Sequence, residues 1–205
     1  MPDLKYQERR AETDARFAAM HALDENTKVH QSPSGRYSLQ ITEYTTGQNS
    51  WNYTRGLVLR NATSAVVADV KRNYGVFWFA WVQRKDKEYL LCGEDYQGYN
   101  VIDLDAEVNA TTFPPEAYKG QGFCWATAYP SPTGDTIAVE GCYWACPYEL
   151  VFYDFTNPAQ SPLPEISRIE DLDRAQGWIN EVEFRFSVGE SEARQTRTWQ
   201  RKPRE

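Results

Sequence analysis

The sequence predicts an all-β protein that begins with one α-helix, and three observations support this prediction. Short β-branched and aromatic runs, bounded by Pro, Gly, Asn and Asp, dominate the chain from about residue 28 onward. Aromatic residues make up 14% of the 205 residues, with 7 Trp, 13 Tyr and 9 Phe. Similar turn-and-strand segments also recur at a spacing of about 50 residues, which is typical of repeat architectures.

The N-terminal segment 4–23 is the part of the chain with helical periodicity. Leu4, Ala11, Phe17 and Leu23 recur near helical spacing, with Arg and Glu side chains between them. We therefore expect one amphipathic helix over 4–23. The run Asp24-Glu25-Asn26 follows it, and strand signals begin after that run.

Three segments carry the internal similarity. The first and third open with the turns Ser32-Pro33-Ser34-Gly35 and Ser131-Pro132-Thr133-Gly134. Proline fixes φ at the first turn position, and glycine relieves the last position. In all three units a strand follows the turn and ends in a tyrosine. These strands are 36–44, 88–96 and 135–143, and they end at Tyr44, Tyr96 and Tyr143.

Further strand signals flank each turn-and-strand segment. The strand before the turn is predicted at 28–31, 77–83 and 123–129, and the strand after it at 56–60, 99–104 and 150–155. The first and third units have a fourth strand signal, at 65–71 and 165–169. The sequence therefore predicts three antiparallel meanders of three or four strands over residues 28–169.

The third unit carries a resemblance to a known class of repeat proteins. Its Ser131-Pro132-Thr133-Gly134 turn, its Ile137-Ala138-Val139 strand and its 150–154 strand resemble β-propeller blades of the WD40-like and TolB-like kind. The resemblance implies small sheets arranged like propeller blades over 28–169. The segments 91–98 and 141–148 also resemble uncharacterised bacterial proteins of no known activity.

The C-terminal region 178–200 predicts a further hairpin. Val182, Phe184, Phe186 and Val188 alternate with polar residues, which is typical of a strand with one buried face. A fourth small sheet here would close a ring, whereas three sheets and a flap would form an open sandwich. The pattern slightly favours the open form. We expect residues 1–205 to form one domain.

Charge and end sequences narrow the classes of partner. The net charge is −7 and the pI is near 5.0, whereas nucleic-acid binding needs a basic surface. The N-terminal residues lack the apolar core of a signal peptide, and no apolar run approaches the roughly 18 residues of a membrane span. We expect a cytoplasmic protein that binds neither nucleic acid nor membranes.

The candidate binding site is the group of loops that follow the tyrosine-ending strands. Equivalent strands of a repeat end on the same side, so these loops should be neighbours on a rigid scaffold. They combine aromatic rings with carboxylates. The predicted binding residues are Trp51, Tyr53, Glu94, Asp95, Gln97, Glu140, Trp144 and Tyr148. Because Glu140 lies on an otherwise apolar strand, it needs a partner, for which Arg55, Arg60, Lys71 and Arg72 are candidates.

The cysteines leave two weak alternatives open. A strand pairing across the 131–134 turn would place Cys124 opposite Cys142, close to Cys146. Such a group could bind zinc or form a disulfide, but the Cys-x3-Cys spacing has no partner motif. With two His and no nucleophile or phosphate-loop signature, the sequence points to no catalytic residues, no cofactor and no metal site.

Two classes of function remain. The first is a non-enzymatic module that binds a protein partner, a ligand or a second copy of the chain, since Trp and Tyr anchor interfaces. The alternative is a hydrolase or carbohydrate-active protein. It would use two of the carboxylates of this face, namely Glu43, Glu94, Asp95, Glu140 and Glu149, and would need such a pair about 5–9 Å apart in an open cleft. The absence of a nucleophile–base constellation favours the first class.

Overall fold

A computed structural model describes residues 4–144, 147–189 and 194–202. It contains one N-terminal helix and four antiparallel sheets, each built from strands that follow one another in the chain. The helix α1 spans Leu4–Ala18 and ends in a tight turn in which Met20 donates to the Phe17 carbonyl. The prediction of an all-β fold of repeated meanders with an N-terminal helix is therefore confirmed.

The first two sheets each hold four strands in chain order. Sheet 1 consists of β1 (His21–Gln31), β2 (Tyr37–Thr45), β3 (Tyr53–Arg60) and β4 (Ala65–Arg72). Sheet 2 consists of β5 (Phe79–Arg84), β6 (Lys87–Cys92), β7 (Tyr99–Asp103) and β8 (Val108–Thr112). A short 3-10 helix, Pro115–Lys119, leads to the next sheet.

The last two sheets differ in their number of strands. Sheet 3 consists of β9 (Cys124–Pro130), β10 (Thr136–Cys142), β11 (Glu149–Asp154) and β12 (Glu165–Ile169). Sheet 4 consists of β13 (Leu172–Trp178), β14 (Glu183–Val188) and β15 (Gln195–Gln200). The predicted C-terminal hairpin is thus part of a fourth, three-stranded sheet.

Three apolar clusters stack the sheets in chain order. The first joins sheets 1 and 2, with Leu39 and Leu90 among its members. The second joins sheets 2 and 3 around Leu91 and Val139, and the third joins sheets 3 and 4 around Phe152. Strand alternation gives the two middle sheets one set of apolar side chains for each neighbour.

The arrangement is open. Within the described ranges, every apolar cluster joins sheets that are adjacent in the sequence, and none joins sheet 4 to sheet 1. The sheets are therefore stacked in a propeller-like manner without closing a ring, as the sequence slightly favoured.

The two Ser-Pro-x-Gly turns have the same hydrogen bonds, which confirms their equivalence. In each, the first serine donates its backbone N–H to the carbonyl of the residue five positions later, and its Oγ accepts from that residue's N–H. The glycines Gly35 and Gly134 have φ of 71° and 69°, a region that favours glycine. The turns therefore fix the register of the hairpins β1–β2 and β9–β10.

The structure differs from the prediction most clearly at the end of the helix and at two strands that were not predicted. The helix ends at Ala18 instead of residue 23, because the chain enters strand β1 already at His21. Strand β8 was not predicted, since its sequence has little apolar alternation. Strand β13 was also missed, because its pairing with β14 contains two irregularities that interrupt the period of two.

Among the described residues, the single α-helix is too short and too polar to cross a membrane.

Candidate functional site

Four aromatic rings form a continuous line at one end of the molecule. The ring centroid of Tyr74 lies 6.0 Å from that of Trp51 and 4.4 Å from that of Tyr96. The Tyr96 ring then meets that of Trp144 at 5.9 Å in an edge-on geometry. These rings come from sheet 1, the connection to sheet 2, and the loops that follow β6 and β10. The line therefore crosses three successive sheets.

A groove with a volume of about 730 Å³ opens beside this line, between sheets 2 and 3. We call it the aromatic groove. It is lined by Arg72, Tyr74, Val76, Trp78, Tyr96, Cys124, Trp125, Ala126, Cys142, Trp144 and Tyr148. Its size is that of a site for a small molecule or for a few side chains of a partner.

Large apolar side chains are exposed around the aromatic groove. Trp144 is 64% exposed, Val76 is 61% exposed and Tyr148 is 43% exposed, while Trp51 at the end of the ring line is 60% exposed. Exposed large rings clustered on one surface mark an interaction site more often than scattered ones do.

The floor of the aromatic groove contains a buried arginine. Arg72 is only 3% exposed, and its guanidinium donates to the backbone carbonyls of Val76, Gly93 and Asp95. Burial lowers the pKa of Arg72 to about 10, so its guanidinium still carries its charge at neutral pH. Its three bonds tie the end of β4 to the segments before β5 and after β6, which holds the groove in shape.

A stack of buried rings supports the aromatic groove from below. Trp125 stacks on Tyr99 at 4.2 Å and on Tyr153 at 5.1 Å, and Trp78 lies 5.6 Å from Trp125. The indole N–H of Trp78 is buried and has no hydrogen-bond partner among the described residues. The groove is thus a preformed surface on a rigid aromatic base.

The structure brings together three of the predicted binding residues. Trp144 and Tyr148 line the aromatic groove, and Trp51 adjoins it through Tyr74. Tyr53 is not among the residues that line the groove, and its ring packs against Phe17 of helix α1 at 6.2 Å. Trp51 and Trp144 are thus connected through the rings of Tyr74 and Tyr96.

Glu94 and Asp95 lie under helix α1. Asp95 forms an ion pair with Arg9, and its side chain also accepts from the amide of Asn73 at 2.9 Å. Glu94 accepts from the Tyr6 hydroxyl at 2.6 Å. Burial, with the adjacent Glu94 charge, raises the pKa of Tyr6 above its ordinary range. These two carboxylates dock the helix onto sheet 2.

Gln97 and Glu140 also have internal partners. The side-chain oxygen of Gln97 accepts from the Gly122 N–H at 2.6 Å. Glu140 accepts from the Tyr129 hydroxyl at 2.9 Å, so its expected partnership with an arginine or lysine is wrong. Burial and the bond to Glu140 raise the pKa of Tyr129 to about 12. The tyrosine on the neighbouring strand β9 supplies the polar contact that Glu140 needs.

None of the five carboxylates considered for acid–base chemistry is among the described residues that line the aromatic groove. Each of them also has a side-chain partner. Glu43 accepts a hydrogen bond from Asn52, and Glu149 forms an ion pair with Arg168. The partners of the other three carboxylates are Tyr6 for Glu94, Asn73 for Asp95 and Tyr129 for Glu140. The structure therefore gives no support to the hydrolase alternative.

Cys124 and Cys142 face each other in the β9–β10 pairing, as predicted, and both are free thiols at the edge of the aromatic groove. Cys146 lies outside the described residues. Within the described ranges, no group of three or more His, Cys, Asp or Glu side chains is arranged to hold a metal ion.

Of the residues that line the groove, only Trp144 and Tyr148 are among the predicted binding residues, and three of the others are instructive. Tyr74 and Val76 lie in the connection between sheets 1 and 2, which falls outside the repeated segments. Arg72 was considered only as a partner for Glu140. The cluster of aromatic and aliphatic residues in 74–79 could have indicated that Tyr74 and Val76 belong to a binding surface. However, the same cluster indicates packing inside a sheet equally well.

Comparison with known proteins gives a curated relative and several structural neighbours. No family model matches the chain. It is 32% identical over 168 residues to "Uncharacterized protein R762" of Acanthamoeba polyphaga mimivirus. That match covers 78% of this chain and 66% of the viral protein, so the chain spans slightly less than two thirds of the relative's length.

Two of the solved structures show how distant this likeness is. One is the β-propeller domain of Myceliophteria_thermophila Cps50 (Swd1), at 15% identity and a TM-score of 0.49, which covers 98% of this chain and 56% of that chain. The other is a eukaryotic initiation factor, at 10% identity and a TM-score of 0.39, which covers 89% of this chain and 52% of that chain. We therefore call the fold propeller-like because of its stacked antiparallel sheets, and not because of these two structures.

Proposed function

We propose that the protein is a non-enzymatic interaction module that binds a protein partner through the aromatic groove. The observation that carries this proposal is the line of rings from Trp51 to Trp144, which spans three sheets and ends in two mostly exposed tryptophans. Tryptophan and tyrosine dominate the residues whose removal weakens protein interfaces most.

The partner should insert apolar or aromatic side chains beside Trp144 and Tyr148. The groove walls are rings, and its charged floor residue Arg72 is occupied by backbone carbonyls. Most of the binding free energy would then come from apolar area removed from water, with the tyrosine hydroxyls orienting the partner.

Selection of binding peptides from a random displayed library tests this proposal. Peptides selected on the wild-type protein should be rich in apolar and aromatic residues. Their affinity should fall about 30-fold on Trp144→Ala, because a central interface tryptophan contributes about 2 kcal/mol or more. Val29→Ala is the matched control, since Val29 is 55% exposed on strand β1, away from the groove.

A cytoplasmic location and the lack of catalytic activity belong to the same proposal. The proposal fails if selection yields no peptide, or if the selected peptides bind Trp144→Ala and Val29→Ala equally well. Turnover of a glycoside or ester substrate that survives in Trp144→Ala would also contradict it.

A further inference from the structure

The three backbone bonds of Arg72 leave one end of its guanidinium unused. They come from Nε and Nη1 and go to the carbonyls of Val76, Gly93 and Asp95. Nη2 carries two further N–H groups, and no described residue accepts a hydrogen bond from them. Unlike the indole nitrogen of Trp78, Nη2 is not fully enclosed by the protein. It is therefore a donor that opens into the aromatic groove, which Arg72 lines.

The positive charge of Arg72 has no carboxylate of its own among the described residues. Asp95 contacts it through a backbone carbonyl, while the carboxylate of Asp95 binds Arg9 and Asn73. Burial lowers the pKa of Arg72 to about 10, and the nearby charge of Asp95 offsets this effect only in part. Arg72 is also the one charged side chain among the described residues that line the groove. A buried cation of this kind is stabilised when an anion reaches it.

A second unpaired donor lies beside this guanidinium. A Cβ atom added to Gly93 would lie 3.1 Å from Arg72 Nη1 and 3.3 Å from Trp78 Nε1, so both nitrogens border the same point next to the Gly93 backbone. The Trp78 N–H has no partner among the described residues, and it is the positive end of the indole dipole. The Tyr74 ring centre lies 5.9 Å from the guanidinium carbon of Arg72. This part of the groove therefore combines hydrogen-bond donors with an aromatic wall.

We propose that the aromatic groove binds a carboxylate of its partner on Arg72 Nη2, beside the apolar or aromatic side chain that packs against Trp144. This carboxylate site deepens the proposed function and rests on it, because both contacts are made by the same partner. One cation in the lining matches one negative charge, so a carboxylate fits better than the double charge of a phosphate. Hydrogen bonds between a guanidinium and a carboxylate are also stronger than neutral ones. The carboxylate can belong to the C-terminus of a peptide or to an aspartate or glutamate side chain.

Two small probes that differ in one group test the carboxylate site on the wild-type chain. N-acetyl-tryptophan has an indole ring and a carboxylate, and N-acetyl-tryptophanamide has the same ring with a neutral amide. In calorimetric or NMR titrations the acid should bind about tenfold more tightly than the amide, because a charged acceptor strengthens the bonds from Nη2. With the arginine side chains isotope-labelled, the acid should shift the Arg72 signals, whereas the amide should shift them much less.

Variants separate the carboxylate contact from the apolar contact. Arg72→Met should abolish the preference for the acid and leave the weaker binding of the amide. Arg84→Met is the matched control, since Arg84 is also largely buried, forms an ion pair with Asp135 and does not line the groove. Trp144→Ala should weaken the binding of acid and amide by the same factor. Circular dichroism establishes that each variant is folded, and if Arg72→Met is not, the Arg72 signals of the wild-type chain decide.

The two sources of a carboxylate are compared with each other and with a phosphate. Acetyl-alanyl-tryptophan presents a terminal carboxylate, and acetyl-aspartyl-tryptophanamide presents one on a side chain. Tighter binding of either peptide than of the neutral acetyl-alanyl-tryptophanamide supports the carboxylate site and identifies the source. Tighter binding of 3-indoxyl phosphate than of every carboxylate probe would overturn it.

Equal binding of acid and amide to the wild-type chain, or a preference for the acid that survives in Arg72→Met, also overturns the carboxylate site. The proposed function still stands in that case if both probes lose affinity in Trp144→Ala. If neither probe binds at millimolar concentration, the carboxylate site is contradicted, and the selection of displayed peptides decides separately on the proposed function.

Discussion

Arg36 and Asp105 form an ion pair that joins sheet 1 to sheet 2, with Arg36 Nη1 2.6 Å from Asp105 Oδ1. The same carboxylate accepts from the Tyr37 hydroxyl and from the Glu88 backbone N–H, each at 3.1 Å. Burial acts to raise the pKa of the Asp105 carboxyl, but these three donors outweigh it and hold the pKa below the ordinary value of 3.8.

Asp105→Asn should lower the free energy of unfolding at pH 7 by roughly 1 kcal/mol, since Arg36 is partly exposed and the pair is screened by water. An acid whose pKa is lowered by folding stabilises the fold above its unfolded pKa, and this contribution is lost as the pH falls through the folded pKa. The difference between wild type and variant should therefore be constant above about pH 5 and shrink below about pH 4.

Urea unfolding at a series of pH values measures this difference. Glu107→Gln is the control, because Glu107 also links sheet 2 to sheet 1, through Arg60, but is 54% exposed. Glu107→Gln should change the free energy of unfolding by close to zero at every pH. An Asp105→Asn effect that grows on acidification would contradict the assigned role.

The two equivalent turn glycines should differ in their tolerance of alanine. At Gly134 an added Cβ would lie 2.3 Å from the Gln83 carbonyl oxygen of strand β5, whereas at Gly35 it would meet nothing within 4 Å. Both positions have positive φ. Gly35→Ala should cost about 1 kcal/mol from backbone strain alone, and Gly134→Ala about 2–4 kcal/mol because the clash adds to it.

Thermal or urea unfolding measures the loss of unfolding free energy in the two variants. Each variant serves as the control for the other, because the two turns have the same hydrogen bonds. Equal costs would mean that the contact between the 131–134 turn and β5 is absent in solution.

Helix α1 should detach from the sheets when Phe17 is truncated. Phe17 is its one buried residue, and its ring lies 5.1 Å from that of Tyr44. Phe17→Ala removes the contact of the buried apolar side chain of the helix, and the ion pair between Arg9 and Asp95 is partly exposed. Hydrogen exchange of the helix amides should therefore accelerate about tenfold or more, while the amides of β6 keep their protection.

Leu4→Ala is the matched control in the helix, since Leu4 is 74% exposed and its truncation should leave exchange unchanged. Protection of the helix amides that survives in Phe17→Ala would show that the polar contacts suffice to dock the helix.

The repeated strands could be predicted because turn chemistry and apolar alternation coincide in them. The hairpin at Ser131–Gly134 is a clear case, since Pro, Gly and the flanking apolar runs all indicate the same turn. Strand β13 offered no such agreement: Asp173 and Arg174 follow each other, and Gly177 interrupts the strand. Long-range pairing with β14 specifies that strand, and its own sequence does not.

The candidate site was predicted only in part for a similar reason. Repetition places Trp144 and Trp51 at one end, because equivalent loops of stacked sheets are neighbours. The repeated pattern contains no information about the helix that packs over the neighbouring loop. The docking of α1 onto Glu94 and Asp95 depends on contacts between residues 86 and 88 positions apart, which no local pattern encodes.

The stacking of the sheets in chain order has a consequence for cooperativity. Sheets 2 and 3 each pack against two neighbours, whereas sheets 1 and 4 each pack against one. Folding free energy in such a linear array is approximately a sum over units and nearest-neighbour interfaces. We therefore expect the two terminal sheets to melt while the central pair stays intact, as in a short chain of coupled units.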